Sequence, residues 1–133
     1  MLDENIFNTH HTYHPKTQSL FLQEKPGLVD SIHKYHPEIW RLYKKLKSLD
    51  WDENEFDFSS CMAEFKTCSK THYEMMIKTI AWQWEADSIA AHNLIPIAAP
   101  FVSSSELWAL WLEIGKNEML HALTYCEIVK NIF

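Results

Sequence analysis

The chain has 133 residues, 47% of them hydrophobic, and a formal net charge of −6 with no long run of either sign. That is enough apolar chain for one domain with a packed core. An acidic balance with one short basic stretch argues against nucleic-acid binding as the main activity, because phosphate contacts need clustered Lys and Arg. Six Trp, five Tyr and seven Phe make the expected core aromatic, and only two glycines occur. Such a composition suits long helices better than short strands joined by tight turns. The cysteines, Cys61, Cys68 and Cys126, form no CxxC pair and are odd in number. A disulfide framework is therefore not expected, and a reducing, cytoplasmic setting is. No secretory signal pattern opens the chain and no apolar run is long enough for a bilayer, so a soluble protein is expected.

Residues 1–28 show no helical period and contain Pro15, Pro26 and Gly27. They read as an extended N-terminal arm, with residues 29–133 forming the folded part. His10, His11 and His14 cluster in the arm, where a tail without fixed geometry is a better reading than a metal site. Pro37 suits a first helical turn, and Ile39, Leu42, Tyr43 and Leu46 are spaced for a helix near 37–49. Lys44-Lys45-Leu46-Lys47 reads as its solvated face. Residues 50–60 form a polar, acidic connector interrupted by Trp51, Phe56 and Phe58.

A long helix is expected over 60–92, with Met62, Phe65, Tyr73, Met76, Ile80, Trp84 and Asp87 along one stripe. Pro96 and Pro100 place a turn between Asn93 and Val102. Ser103 with Glu106 three residues later is a capping-box pattern, opening a last helix over 104–131.

The last helix carries a seam of Leu107, Trp111, Ile114, Glu118, His121, Tyr125, Ile128 and Ile132. Steps of four and three keep all of them on one face. Three polar residues thus occupy the middle of an apolar stripe. A buried carboxylate there needs a partner charge or a metal, since its desolvation otherwise costs several kcal/mol. Glu118 and His121 stand about 60° apart round the helix and about 4.5 Å along it, so both can reach one ion. This is the Glu-x-x-His element of ferritin-like di-metal proteins. Asp87 lies on the apolar side of the preceding helix near its C-terminus, where the helix dipole disfavours a carboxylate. As a metal ligand it fits. Such sites take a carboxylate from each of two helices and a Glu-x-x-His from each of two others, and no second Glu-x-x-His occurs here.

Trp84-Glu85-Ala86-Asp87-Ser88-Ile89 resembles the segment bearing the first metal ligand of the small, radical-generating beta subunit of class I ribonucleotide reductases. Glu118-Met119-Leu120-His121-Ala122-Leu123-Thr124-Tyr125 resembles that family's Glu-x-x-His-x-x-x-Tyr motif, and Ile128-Val129-Lys130-Asn131-Ile132 its continuation. Upstream, Trp51-Asp52-Glu53-Asn54-Glu55-Phe56-Asp57 is similar to the family's Trp-centred acidic segment. Leu20-Phe21-Leu22, Pro26-Gly27-Leu28 and Lys34-Tyr35 are similar to its N-terminal entry into the fold. The similarity runs from about Ser19 to Phe133.

The resemblance implies an all-α fold, a fragment amounting to about half of a ferritin-like four-helix di-metal bundle, with 29–133 as the N-terminal half of the family's beta domain. It implies Asp87, Glu118 and His121 as metal ligands, Tyr125 as the radical residue and Trp51 as an electron relay. The cofactor would be two iron ions per complete site, with manganese as the other candidate. The activity would be that of a ribonucleoside-diphosphate reductase beta subunit, in which the radical starts reduction of ribonucleotides to deoxyribonucleotides. The implied partners are a polypeptide carrying the second half of the beta subunit, the large (alpha) subunit and a second beta copy. No nucleic acid or membrane is among them. Activity is expected to require both the second half and the large subunit. The rival readings are another ferritin-like di-iron oxidase or metal-binding protein, and a split fragment inactive without its complement.

Overall fold

A computed structural model describes residues 19–22 and 34–132. The remainder of the expected arm, including His10, His11, His14, Pro15, Pro26 and Gly27, lies outside the described residues. Those described form four α-helices, α1 (Pro37–Lys47), α2 (Cys61–Thr67), α3 (Lys70–Ala98) and α4 (Ser105–Ile132), with 3-10 turns at Glu53–Glu55 and Ala99–Phe101. Their one β-type pairing is an isolated antiparallel bridge between Phe21 and Val102. The chain is all-α, as its composition predicts. None of the described helices is long and apolar enough to cross a membrane.

The expected helix over 60–92 is two helices. Cys68 takes an extended conformation with ψ 158°, ending α2. Ser69 then starts α3: its hydroxyl accepts from the His72 N–H at 3.3 Å and its carbonyl from the Tyr73 N–H at 2.9 Å. Serine is better used capping a helix than continuing one, because its hydroxyl satisfies a free N–H of the first turn. The Phe65 and Tyr73 rings, 5.0 Å apart, pack across the break. At the other end α3 runs through Pro96 to Ala98, where a turn from Asn93 was expected. Pro96 removes the N–H that would meet the His92 carbonyl, but His92 and Asn93 are exposed, so water can serve that carbonyl. Proline here costs less than it would in a buried helix.

Two compact units divide the chain, one of Met1–Leu49 with Ile95–Ile114, the other of Asp50–Leu94 with Gly115–Phe133. In the first, Ile39, Val102 and Leu107 form a small core against which Leu20, Trp108 and Leu110 pack. Residues 20–22 are held to it by backbone hydrogen bonds from the Leu22 N–H to the Phe101 carbonyl (2.8 Å) and from the Ser103 N–H to the Leu20 carbonyl (2.9 Å). Ser103 is therefore not the cap of α4. That task falls to Ser104, whose hydroxyl accepts from the Leu107 N–H at 3.2 Å and whose carbonyl accepts from the Trp108 N–H at 2.9 Å.

Glu106 does not close a capping box. Its carboxylate, 2% exposed, accepts from the Tyr35 N–H at 2.8 Å, from the His36 N–H at 3.5 Å and from the Ser104 hydroxyl at 2.8 Å. The first-turn position also favours its charge through the helix dipole. Glu106 thus ties the entry of α1 to the start of α4. Glu106→Ala leaves buried donors without an acceptor and should destabilise the chain by about 1–3 kcal/mol in denaturant unfolding, with Glu106→Gln losing less.

Candidate metal centre

Every residue singled out as chemical lies in the second unit. Asp52 opens the 3-10 turn there: its carboxylate accepts from the Asn54 N–H at 2.9 Å, and the Glu55 carboxylate accepts from the Asp52 N–H at 3.1 Å. The Asn54 backbone N–H, with its side-chain amide, holds the Asp52 carboxyl below the usual carboxylate range. Ser59, through its hydroxyl and N–H, does the same for Asp57. These short-range bonds give a polar connector a defined course. Within it the Trp51 ring meets Phe56 edge-on at 5.4 Å and stacks on the His121 imidazole at 5.9 Å, with 30° between planes.

On α4, Glu118 and His121 face the same side, as the three-residue spacing requires, and Asp87 of α3 reaches the same point. His121 Nδ1 lies 3.6 Å from Glu118 Oε2 and 3.7 Å from Asp87 Oδ2. One donor atom from each of the three residues falls within 4.8 Å of the other two. Ligand atoms on one first-row ion, each about 2.0–2.2 Å from it, stand about 3–4 Å apart, and the two distances to His121 Nδ1 have that spacing. Two carboxylates and an imidazole suit iron or manganese, and they match half of the donor set of a ferritin-like site.

Tyr125 stands one turn beyond His121. Burial raises its phenol above the ordinary range near 10, as do the Asp87 charge, a hydrogen bond to Asp87 and the Glu118 charge, in that order. Tyr125 is accordingly a protonated, neutral phenol across physiological pH, near enough to Asp87 and Glu118 to feel their charge.

The five predicted site residues thus come together, but in a shallower setting than the seam implied. The side chains of Asp87, Glu118 and His121 are 22%, 25% and 41% exposed. The residues of α4 that are buried in this unit are Gly115, Leu120 and Ala122 rather than the seam itself. Partial hydration lowers the desolvation cost of the two carboxylates. Sequence reasoning also passed over Lys116, whose ammonium contacts Asp50 Oδ1 at 2.5 Å. No local pattern joins two residues so far apart in sequence.

A scan against protein-family models gave no match. Curated proteins, however, are similar over most of the chain. A ribonucleoside-diphosphate reductase small chain of African swine fever virus is 26% identical over 111 residues, 79% of this chain and 34% of that protein. A ribonucleoside-diphosphate reductase subunit beta of Buchnera aphidicola is 26% identical over 111 residues, 80% of this chain and 29% of that protein. The corresponding small chain of Plasmodium falciparum is 24% identical over 96 residues, 72% of this chain and 28% of that protein. The chain spans about a third of the length of these relatives.

Proposed function

We propose that this chain, similar to the small subunits of ribonucleoside-diphosphate reductases, acts as a radical-generating component of such an enzyme. Asp87, Glu118 and His121 hold metal in this reading, iron first and manganese second, as one part of a two-metal site. Metal held there, after reaction with dioxygen or a reduced oxygen species, would supply the oxidising power for loss of an electron by Tyr125. Other, companion segments of the beta subunit provide the remaining ligands, and the large subunit receives the radical. A second beta copy completes the expected assembly.

The observation that carries the reading is the convergence of Asp87, Glu118 and His121 with the Tyr125 phenol and the Trp51 indole. A metal-binding or oxidase function alone calls for neither aromatic. Each residue has a task. His121 Nδ1 and the two carboxylates offer the donor atoms. Asp87, whose charge acts on the phenol, is a nearby base for the proton that Tyr125 gives up when it loses an electron. Trp51, in ring contact with His121, offers an indole through which an electron can pass towards the centre. Exposed apolar side chains on α3, among them Met75, Trp82 and Ile89, offer surface for the companion segment.

The test is ribonucleoside-diphosphate reduction by the chain combined with the large subunit and the companion beta segment. Turnover is expected to fall below about 1% of the unsubstituted assembly in Tyr125→Phe, since a residue that carries the radical has no substitute in its own step. Undiminished turnover in that variant would refute the proposal.

A further inference from the structure

The relay role proposed for Trp51 requires its indole to stay against His121, yet the connector offers little burial to keep it there. Trp51 is half-buried, between exposed Asp50 and exposed Asp52. On the C-terminal side the Asp52–Glu55 turn and the Phe56 ring restrain it. On the N-terminal side the restraint is ionic: the Lys116 ammonium donates to Asp50 Oδ1 at 2.5 Å. Asp50 immediately precedes Trp51, and Lys116 lies on α4 five residues, about 7.5 Å of helix rise, before His121. The pair therefore joins the backbone next to the indole to the same helix that carries the imidazole.

We propose that Asp50 and Lys116 form a positioning clamp that sets the Trp51–His121 stack. The clamp matters for function only through the relay reading of Trp51, but it exists or fails independently of that reading. Both partners are half-exposed, at 44% and 47%, so the clamp is modest and salt-sensitive. Pairs of this kind shift an equilibrium by about two- to fivefold, and 1 M salt, with a screening length of about 3 Å, removes much of that.

The experiment is proton NMR of the metal-free full chain, with Trp51 and His121 ring resonances assigned by Trp51→Phe and His121→Gln. The wild-type chain should show Trp51–His121 cross-peaks and ring-current-shifted indole protons. Lys116→Met should lower the stacked-to-open ratio by about two- to fivefold, moving those protons towards their free-chain positions and weakening the cross-peaks. Lys116→Arg, which keeps the charge, should hold the wild-type positions, as should the exchanged pair Asp50→Lys with Lys116→Asp. Raising the salt to 1 M should move the wild-type chain towards Lys116→Met and leave that variant unchanged. Indole shifts and cross-peaks equal in Lys116→Met and wild type would overturn the clamp, as would failure of Lys116→Arg to preserve them. Because metal and radical are absent from the measurement, a refuted relay and a refuted clamp give different results. The first appears only as undiminished turnover in Trp51→Phe.

Discussion

Replacing His121 with alanine is expected to weaken Mn(II) or Fe(II) binding to the chain by at least about 100-fold. Loss of a residue that merely orients a ligand costs about 10- to 100-fold, and His121 is proposed as a ligand itself. The geometry makes the expectation sharp, because His121 Nδ1 is the atom that both carboxylates face, at 3.6 and 3.7 Å. Its removal leaves two negative groups without the nitrogen donor that favours a transition metal over calcium or magnesium. Glu118→Ala should behave likewise and Glu118→Gln somewhat less severely, since an amide oxygen can still coordinate but carries no charge. Binding by the unsubstituted chain should itself be weak and reversed by chelators, because three protein donors leave the rest of an ion's coordination sphere to water. Titration followed by the electron paramagnetic resonance of free Mn(II) checks all three variants. Affinity unchanged in both His121→Ala and Glu118→Ala would remove the metal assignment while leaving the helical fold and the sequence similarity intact.

Tyr125→Phe is expected to do the opposite: abolish the tyrosyl radical signal of the oxygen-activated assembly while changing metal affinity by less than about threefold. A neutral phenol is a poorer ligand than the clustered carboxylates and imidazole, and the substitution removes only its hydroxyl, without opening a cavity. The change at Asp87 should be small for the same reason: a carboxylate 22% exposed can replace the lost phenol with water. Low-temperature electron paramagnetic resonance of wild-type and substituted assemblies, paired with metal analysis, separates the two effects. A persisting tyrosyl signal in Tyr125→Phe would move the radical to another of the chain's tyrosines. Loss of signal with loss of metal would mean that Tyr125 supports the site rather than serving it.

Local chemistry reached far into this molecule. The spacing of Glu118, His121 and Tyr125 depends only on helical geometry, so once 104–131 was read as a helix their shared face followed. Asp87 could be placed on the apolar side of its own helix in the same way. The all-α class followed from composition, and Pro37 marked the first turn of α1. What periodicity resolved poorly were the interruptions. A single Ser69 breaks the stripe running from Met62 to Asp87 because a hydroxyl in capping position competes with helix continuation. Pro96 fails to break α3 because the backbone it disrupts faces water. Both outcomes turn on a few tenths to a few kcal/mol of hydrogen bonding and solvation, which residue identity does not specify.

Contacts between distant segments needed the tertiary structure. Glu106 looked like half of a capping box, yet its carboxylate accepts from Tyr35 and His36, seventy residues away in the chain. Trp51 carried no local mark of where its ring would lie, and it stacks on His121 because α4 and the connector are brought side by side within one unit. Asp50 and Lys116 were unremarkable charges until the fold made them neighbours. The depth of the site belongs to the same class: a stripe of apolar spacing predicts which face turns inward, but only packing decides how much of it is covered. A helix face is set by a period of 3.6 residues along one segment, whereas burial and ion pairing are set by what a second segment brings to it.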